Sequence, residues 1–271
     1  MTHSTISVNK TNKTKKSNRL KRIAIKTAVA ALWLVLWQLV CVIVNMELLI
    51  VSPLTALQRL IELAQTPEFW LYSVSSLGRI TAGFALGCAV GVTLAVVCSR
   101  FSFAREFFSP AITVIKSTPV ASFIILALVW LTGTYVPVFI GFLMVLPVIY
   151  SNVSQGISEV DPKLLEMAQV FRMSRAKRLT KIYIPSVLPY FMAACRTALG
   201  LAWKAGVAAE VIGVTQDSIG RQLYYSKIYI ETADLFAWTA VVIILSLALE
   251  KIFMLCADKI CAALHLSKQE D

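Results

Sequence analysis

Residues 80–97 read ITAGFALGCAVGVTLAVV, a stretch of eighteen residues without a single charged side chain. A helix needs about 20 mostly apolar residues to cross a bilayer, so this stretch predicts a transmembrane helix. Its glycines recur at every fourth position, a doubled G-x-x-x-G pattern that lets a second helix approach closely. Small residues repeat with the same spacing around residue 200. The residues predicted to pack helices closely are Gly83, Gly87, Gly91, Ala198, Ala202 and Gly206.

The rest of the chain has the same apolar character. Of its 271 residues, 58% are hydrophobic and 15% are charged, whereas an average globular chain has roughly 25% charged residues. One helix over residues 120–150 would be roughly 46 Å long, which overshoots the bilayer core, so a hairpin at Gly133 is expected. We predict an all-α integral membrane protein with six transmembrane helices. They lie near residues 27–44, 80–97, 120–131 with an extension toward 111, 135–150, 187–212 and 235–255.

The basic residues are concentrated in alternate connecting segments. Segments 1–26, 99–117 and 154–184 and the C-terminal end carry twenty Lys and Arg residues, whereas the intervening connections carry only Arg59, Arg221 and Lys227. Cytoplasmic loops of membrane proteins are enriched in Lys and Arg, so both termini are predicted to face the cytoplasm. The net charge of +11 then reflects orientation and contact with anionic lipids, not nucleic-acid binding.

This pattern divides the chain into segments. Residues 1–23 are predicted to form an uncleaved, disordered, basic cytoplasmic tail, and residues 24–50 the first transmembrane helix. Within 51–77, Ser52 can cap a helix that begins at Pro53, and the apolar stripe that follows indicates an amphipathic helix on the outer face. Residues 78–257 would form the core of five transmembrane helices, with short cytoplasmic helices at 158–184. Residues 258–271 would form a cytoplasmic tail.

Several function classes lack the residues they need. The six cysteines show no C-x-x-C spacing, and the two histidines, His3 and His265, lie near the termini, so no metal site is predicted. No G-x-x-x-x-G-K-[ST] sequence is present, so the chain does not bind ATP through a P-loop. A membrane enzyme would need clustered acid, base or metal-binding groups. The chain is therefore predicted to bind no cofactor and not to be an enzyme.

Three charged residues lie inside the predicted fifth span. Charges within the hydrocarbon region are costly and are candidates for function. Arg196, Lys204 and Glu210 are therefore candidates for a solute pathway or gate. A structural ion pair, or a lysine that reaches the membrane interface, is the alternative. Arg79, at the outer end of the second span, is expected to extend to the interface and is left out of the candidates.

The segment 158–185 is predicted to form two short helices. Asp161 can cap the first, with Pro162 at its first position, and Ser174 can cap the second. The apolar residues on one side of the first helix are Leu164, Leu165, Ala168 and Phe171. An apolar stripe with a basic rim fits docking into a groove of another protein, and it also fits a helix resting on lipid.

The same segment resembles a cytoplasmic signature of permease subunits of binding-protein-dependent ATP-binding cassette (ABC) importers. The signature is Glu-Ala-Ala, three residues, Gly, nine residues, Ile, one residue, Leu-Pro, and residues 166–185 read EMAQVFRMSRAKRLTKIYIP. The matching residues are Glu166, Ala168, Ile182 and Pro185, and the mild departures are Met167 and Ile184. Arg172 replaces the glycine. An arginine adopts left-handed backbone only at a cost of about 1 kcal/mol, so the turn between the two helices is expected to be built differently.

The resemblance extends from about residue 50 to 257. VSPLTALQRL (51–60), ALGLAWKAGVAAEVIG (198–213) and DSIGRQL (217–223) are similar to the sulfonate, taurine, nitrate and bicarbonate branch of these permeases. The resemblance implies a type I importer permease in the bacterial cytoplasmic membrane, working as a homodimer with two ATPase subunits and an extracytoplasmic solute-binding protein. ATP and Mg would then bind to the ATPase subunits.

The resemblance also assigns roles to residues. It implies an ATPase contact, centred on Glu166 and Ala168, that consists of Asp161, Leu164, Leu165, Glu166, Ala168, Phe171 and Arg172. In the same comparison Lys204 and Glu210 would belong to the pathway or gate. Lys204 favours a small anion as the solute, while a neutral vitamin precursor stays open. A secondary, ion-coupled transporter that works without an ATPase is the alternative function.

Overall fold

The structure is a computed structural model of the full chain. It describes the backbone of residues 5–46 and 48–263, and the side chains of residues 24–46, 48–257 and 259. All regular structure in these ranges is helical. The helices are α1 (Thr5–Val44), α2 (Pro53–Ala64), α3 (Pro67–Arg100), α4 (Ser102–Ser117), α5 (Val120–Trp130), α6 (Val136–Ser158), α7 (Pro162–Val170), α8 (Arg175–Arg178), α9 (Ile184–Gly213), α10 (Ile219–Ile228) and α11 (Thr232–Ala263).

Five helices in the described part of the chain are long and apolar enough to cross a membrane. They comprise residues 24–44 of α1, then α3, α6, the run 175–213 that ends with α9, and residues 232–257 of α11. A sixth crossing exists if α4 and α5, which are bent by 108° at the break between them, count as one span. The predicted all-α membrane fold is therefore confirmed.

The third span differs from the prediction of one helix extending toward residue 111. α4 ends at Ser117, Thr118 has extended backbone (φ −83°, ψ 132°), and α5 begins directly after Pro119. Proline has no amide hydrogen, and it disfavours helical backbone in the residue before it. The apolar run therefore breaks at Thr118. With 11 residues, α5 is roughly 16 Å long, too short to cross a bilayer alone.

Helices α3, α6 and α9 form the centre of the bundle, and α6 is largely enclosed by its neighbours. A Cβ added at Gly83 would lie 2.4 Å from the Val138 carbonyl oxygen of α6. One added at Gly87 would lie 2.6 Å from the Cβ of Val145. At Gly91 the nearest α6 atom, in a side chain, would be 2.9 Å away. The three glycines of α3 thus allow an approach to α6 that a larger residue would block.

The small residues of α9 lie against α3 and the core. A Cβ added at Gly206 would lie 2.6 Å from Cγ1 of Ile80. Ala198 and Ala202 are fully buried in the same apolar cluster. This cluster therefore joins α9 to α3 through small side chains on one helix and a branched side chain on the other.

Helix α2 is attached to the start of α11 by an ion pair. Ser52 caps α2 as predicted, since its hydroxyl accepts the Thr55 amide at 3.1 Å. Arg59 pairs with Asp234 of α11 and also with Glu62, 2.9 Å away. Hydrogen bonds to Asp234 and Glu62 raise the pKa of the Arg59 guanidinium above its ordinary value, so the guanidinium stays charged.

Segment boundaries differ from the predicted ones in three places. The outer segment predicted over 51–77 contains α2 and also the first eleven residues of α3, because α3 already begins at Pro67. The backbone of the predicted tail is helical from Thr5, since extending an existing helix costs far less than starting one. α11 continues to Ala263, beyond the predicted tail boundary at 258. Residues 1–4 and 264–271 of the two predicted tails, and the side chains of residues 5–23, lie outside the described parts.

The bundle has two ends that matter for function. The α2 end carries α2, the α5–α6 connection at 131–135 and the α9–α10 turn at 214–218. The α7 end carries α7, α8 and the last turn of α3. Along α3, Arg79 and Arg100 are 21 residues apart, which is about 31 Å and close to the thickness of a bilayer core. The part of α3 between these two arginines is therefore long enough to cross a bilayer core.

Candidate functional site

Glu210 is a fully buried carboxylate near the α2 end of α9, with a relative exposure of 0%. The Ser76 hydroxyl of α3 donates to its Oε2 at 2.7 Å, and the Gly220 amide of α10 donates to the same oxygen at 3.3 Å. A buried charge is costly unless it is paired and hydrogen-bonded. The arrangement therefore needs a cation.

Arg79 supplies that cation. Its Nη1 lies 3.6 Å from Oε1 of Glu210, which has no hydrogen-bond partner among the described atoms. The same guanidinium donates to two carbonyl oxygens of the α9–α10 turn, those of Gln216 at 2.9 Å and Asp217 at 3.1 Å. The expected extension of Arg79 to the interface therefore left out its pairing with Glu210 and with the α9–α10 turn. The signal in the sequence that could have predicted this pairing was Glu210, because a buried carboxylate near one end of its helix needs a cation at the same level of the neighbouring helix.

The turn at 214–218 is held in place by further polar contacts. Thr215 donates its hydroxyl to the Gly133 carbonyl at 2.9 Å, and the Ser218 hydroxyl donates to the Thr215 carbonyl at 2.7 Å. Val214 and Asp217 have positive φ angles of 45° and 47°. We call Ser76, Arg79, Glu210 and the backbone of 215–220 the Glu210 cluster. It links α3, α9 and α10, and Thr215 extends it to the α5–α6 connection.

Lys204 and Arg196 lie apart from this cluster. Both side chains are exposed, and among the described residues neither has a hydrogen bond or an ion pair. Lys204 shares an exposed face of α9 with Thr197, Leu201 and Gly200, where an added Cβ would meet nothing within 4 Å. The structure thus separates the predicted candidates into a buried acid and two free cations.

Helix α7 divides its apolar residues between two faces. Ala168 is fully buried and packs with Val160 and Ile182, and Leu165 packs against the same small cluster. The exposed apolar residues are Leu164, Met167, Val170 and Phe171, and we call them the exposed α7 face. Ala168 therefore holds α7 against its own chain, and the contact with an ATPase centred on Glu166 and Ala168 stays a prediction. The apolar stripe predicted from the sequence is thus divided: Leu165 and Ala168 face the chain, and Leu164 and Phe171 are exposed.

The ends of α7 have well-defined caps. Asp161 caps its start as predicted, accepting the Lys163 amide at 2.8 Å. At its other end Arg172 has a φ of 49°, the amide of Arg172 donates to Gln169 at 3.0 Å, and that of Met173 donates to Ala168 at 2.9 Å. This pair of bonds is the Schellman arrangement that usually uses glycine. The expectation of a differently built turn is wrong, since Arg172 adopts the left-handed backbone itself.

The second short helix is not separate from the fifth span. Ser174 caps α8 as predicted, accepting the Lys177 amide at 3.4 Å. From α8 the chain continues through a π-helical turn, Leu179–Tyr183, directly into α9.

Within the described side chains, no group of three or more His, Cys, Asp or Glu residues could hold a metal ion.

Residues 87–260, which include α7 and Glu210, match the family of binding-protein-dependent transport system inner membrane components. The chain belongs to this family. It is a permease of the ABC importer kind, and such permeases are not enzymes in general. Membership favours an importer permease over the alternative of a secondary transporter.

Some curated relatives of the permease carry names of anion transporters. The permease is 29% identical over 145 residues to a bicarbonate transport system permease protein of Synechocystis sp., a match over 53% of this chain and 51% of that protein. It is 26% identical over 209 residues to a probable ABC transporter permease protein of Brucella melitensis, over 77% and 84% of the two chains. A putative aliphatic sulfonates transport permease protein of Bacillus subtilis is 24% identical over 220 residues, 80% of this chain and 78% of that one. The chain thus spans about half the length of the bicarbonate relative.

Solved structures share the fold. An amino acid ABC transporter chain has a TM-score of 0.60 at 19% identity, over 74% of this permease and 97% of that chain. A bacterial alginate ABC transporter, solved with a periplasmic protein that holds an alginate pentasaccharide, has a TM-score of 0.56 at 14% identity over 92% and 96%. At these identities the likeness shows the fold alone.

Proposed function

We propose that the permease forms the solute pathway of an importer in the bacterial cytoplasmic membrane, with its termini and α7 end in the cytoplasm. In this orientation α7 couples the pathway to a separate ATPase subunit. The observation that carries the proposal is the exposed α7 face. Val170 and Phe171 are 79% and 73% exposed at an end of the bundle that would meet water. A contiguous exposed apolar surface of this kind is typical of a protein contact site.

Glu166 and Arg172 give this surface its polar rim. Both side chains are exposed beside the apolar residues. Interfaces commonly combine an apolar centre with a polar rim, which fits a protein groove as the partner. A lipid surface is the other partner that an apolar stripe can have, and membership in a binding-protein-dependent transport family favours the protein.

Co-purification with the ATPase subunit tests the coupling role. Phe171→Asp places a charge in the exposed α7 face and is expected to abolish recovery of the ATPase with the solubilised permease. Glu166→Lys, which reverses the rim charge, is expected to abolish stimulated ATP hydrolysis. Ile228→Asp is the matched control, since Ile228 is 52% exposed and lies on α10 at the opposite end. Equal recovery of the ATPase from all three variants would refute a coupling role for α7.

The exposed face of α9 is proposed to line the pathway for a small anion. Lys204 is an unpaired cation on that face, and the names of the relatives include bicarbonate and aliphatic sulfonates. In reconstituted vesicles, Lys204→Gln is expected to lower anion uptake, and Lys204→Arg to keep most of it. Lys227→Gln on α10 removes the same charge elsewhere and is the control. Unchanged uptake by Lys204→Gln would contradict the pathway role.

The Glu210 cluster is proposed to act as the gate at the α2 end, where an extracytoplasmic binding protein would deliver solute to a permease homodimer. The cluster joins α3, α9 and α10 through contacts at the α2 end of the bundle. Opening of the pathway there would require these contacts to rearrange. Cross-linking of cysteines placed at Ser76 and Ile219, whose amide donates to the Ser76 hydroxyl at 3.0 Å, is expected to abolish uptake while leaving binding of the ATPase intact. Full uptake after cross-linking would exclude this gate.

A further inference from the structure

A large apolar groove lies at the α7 end, apart from the Glu210 cluster. Its volume is about 650 Å³, and it opens between the last turns of α3, the last turns of α6 and the start of α9. Its walls are aliphatic and aromatic, and they include Val92, Val96, Ile157, Val187, Leu188 and Phe191. We call it the α7-end groove. Nothing in the proposed transport mechanism uses it.

One charged residue lines this groove. Arg100 is the last residue of α3, its side chain is exposed, and among the described residues it has no acidic partner. From Val92 to Arg100 the wall of α3 is about 12 Å long, close to the depth of one leaflet of a bilayer whose core is about 30 Å thick. The groove therefore has the depth of a lipid tail and a cation at the level of the headgroups.

The lining of the groove carries a basic and no acidic side chain, and the nearest acidic residues along the chain, Glu159 and Asp161, lie beyond the wall residue Ile157. The three wall segments, 92–100, 153–157 and 179–191, contain no acidic residue. Arg178, which directly precedes the wall residue Leu179, has an Nε that is buried without a hydrogen-bond partner among the described atoms. Lys181 is exposed on the π-helical turn. Basic pockets between transmembrane helices on the cytoplasmic side bind anionic headgroups.

We propose that the α7-end groove binds one anionic phospholipid of the cytoplasmic leaflet, with an acyl chain along the apolar walls and its phosphate at Arg100. This rests on the proposed orientation of the permease. An apolar groove that opens sideways in a bilayer is filled by lipid chains, and the absence of acidic residues selects a headgroup of net negative charge. The bound lipid would support the start of α9, because Leu179, Ile184 and Val187 belong to its wall.

Native mass spectrometry of the purified permease in detergent tests this proposal independently of transport. Phosphatidylglycerol and phosphatidylcholine with identical chains are titrated, and phosphatidylglycerol is expected to bind more tightly. Arg100→Gln should weaken phosphatidylglycerol binding about fivefold, from about 1 kcal/mol per basic residue near a charged surface. Arg105→Gln removes the same charge from α4, outside the groove lining, and should change binding little. Val96→Trp fills the groove and should weaken both lipids.

Three results would overturn the proposal. Equal affinity for the two lipids would remove the anionic selectivity. If Arg100→Gln and Arg105→Gln weakened phosphatidylglycerol binding equally, the binding would depend on the general surface charge and not on a site at Arg100. Dissociation of a permease dimer by Val96→Trp, without change in lipid binding, would make the groove an interface between copies of this chain. Because Arg100→Gln changes only an exposed side chain, this arm stays informative if Val96→Trp fails to fold.

Discussion

The close approach of α3 and α6 at Gly83 makes a quantitative prediction. In Gly83→Ala the new Cβ would lie 2.4 Å from the Val138 carbonyl oxygen and 3.2 Å from the Phe142 nitrogen. A favourable carbon–oxygen contact needs about 3.3 Å, so α6 must retreat by about 1 Å. Both obstructing atoms belong to the backbone and cannot turn away. Overpacking of this kind costs about 1–3 kcal/mol.

Gly78 provides the matched control on the same helix. An added Cβ there meets nothing within 4 Å, and the residue is exposed. Replacing a glycine by alanine inside a helix stabilises it by about 1 kcal/mol, and both variants receive this gain. The difference between them therefore isolates the steric cost. We expect Gly78→Ala to be more stable than Gly83→Ala by about 1–3 kcal/mol.

Thermal unfolding of the purified permease in one detergent measures this difference. Each kcal/mol shifts Tm by roughly 2–4 °C for chains of this size, so the two variants should differ by about 2–12 °C. Because both variants add one methyl group to the same helix and are measured in the same detergent, effects of detergent and expression on Tm are the same for both and drop out of the difference. A Gly83→Ala variant that melts at or above the temperature of Gly78→Ala would refute the reasoning, because it would mean that α3 and α6 are not in direct backbone contact.

Three further predictions concern single contacts. Gly206→Ala clashes with side-chain atoms of Ile80, so the double variant with Ile80→Ala should be more stable than the sum of the two single changes predicts, by about 0.5–3 kcal/mol in denaturant titrations. Arg172→Gly relieves the left-handed backbone and should increase hydrogen-exchange protection of α7 by about 1 kcal/mol, whereas Arg172→Ala should give no increase. Arg79→Gln leaves Glu210 buried without its cation and should lower stability by about 3–5 kcal/mol, and adding Glu210→Gln should restore part of that loss. A double variant no more stable than Arg79→Gln alone would contradict the ion pair.

Local sequence signals predicted the elements of this fold more reliably than their contacts. Apolar runs located the spans, and the side chains of Ser52, Asp161 and Ser174 cap helices as expected, because each signal acts within one helical turn. The break between α4 and α5 was also encoded locally, by Pro119. The prediction missed this break because the apolar residues on both sides of Pro119 look like one continuous span.

The contacts that were missed depend on residues distant in the sequence. Arg79 pairs with Glu210, 131 positions away in the chain, and no local pattern favours that pairing over extension to the interface. Ala168 is buried because Val160 and Ile182 come together behind it, and this requires the path of the chain on both sides of α7. The spacing of apolar residues predicted that α7 is amphipathic, but it did not predict which apolar residues pack on the chain itself and which are exposed to a partner.

The arrangement of α9 connects the two candidate sites through one element. Ile182 of the π-helical turn packs against Ala168 of α7, and the chain runs from this turn without interruption through α9 to Glu210. α9 has 30 residues and is about 45 Å long, so a displacement of α7 along its axis would be carried to the opposite membrane boundary by a continuous hydrogen-bonded helix. Pro189 lacks the amide hydrogen that would tie it to the preceding turn, which makes the first turns of α9 the place where bending is least costly. In the proposed mechanism, the stiffness of most of α9 couples movements of α7 to the Glu210 cluster, and bending is confined to the turns near Pro189. Leu188, beside this proline, lines the α7-end groove, so a bound lipid would act where α9 bends most easily.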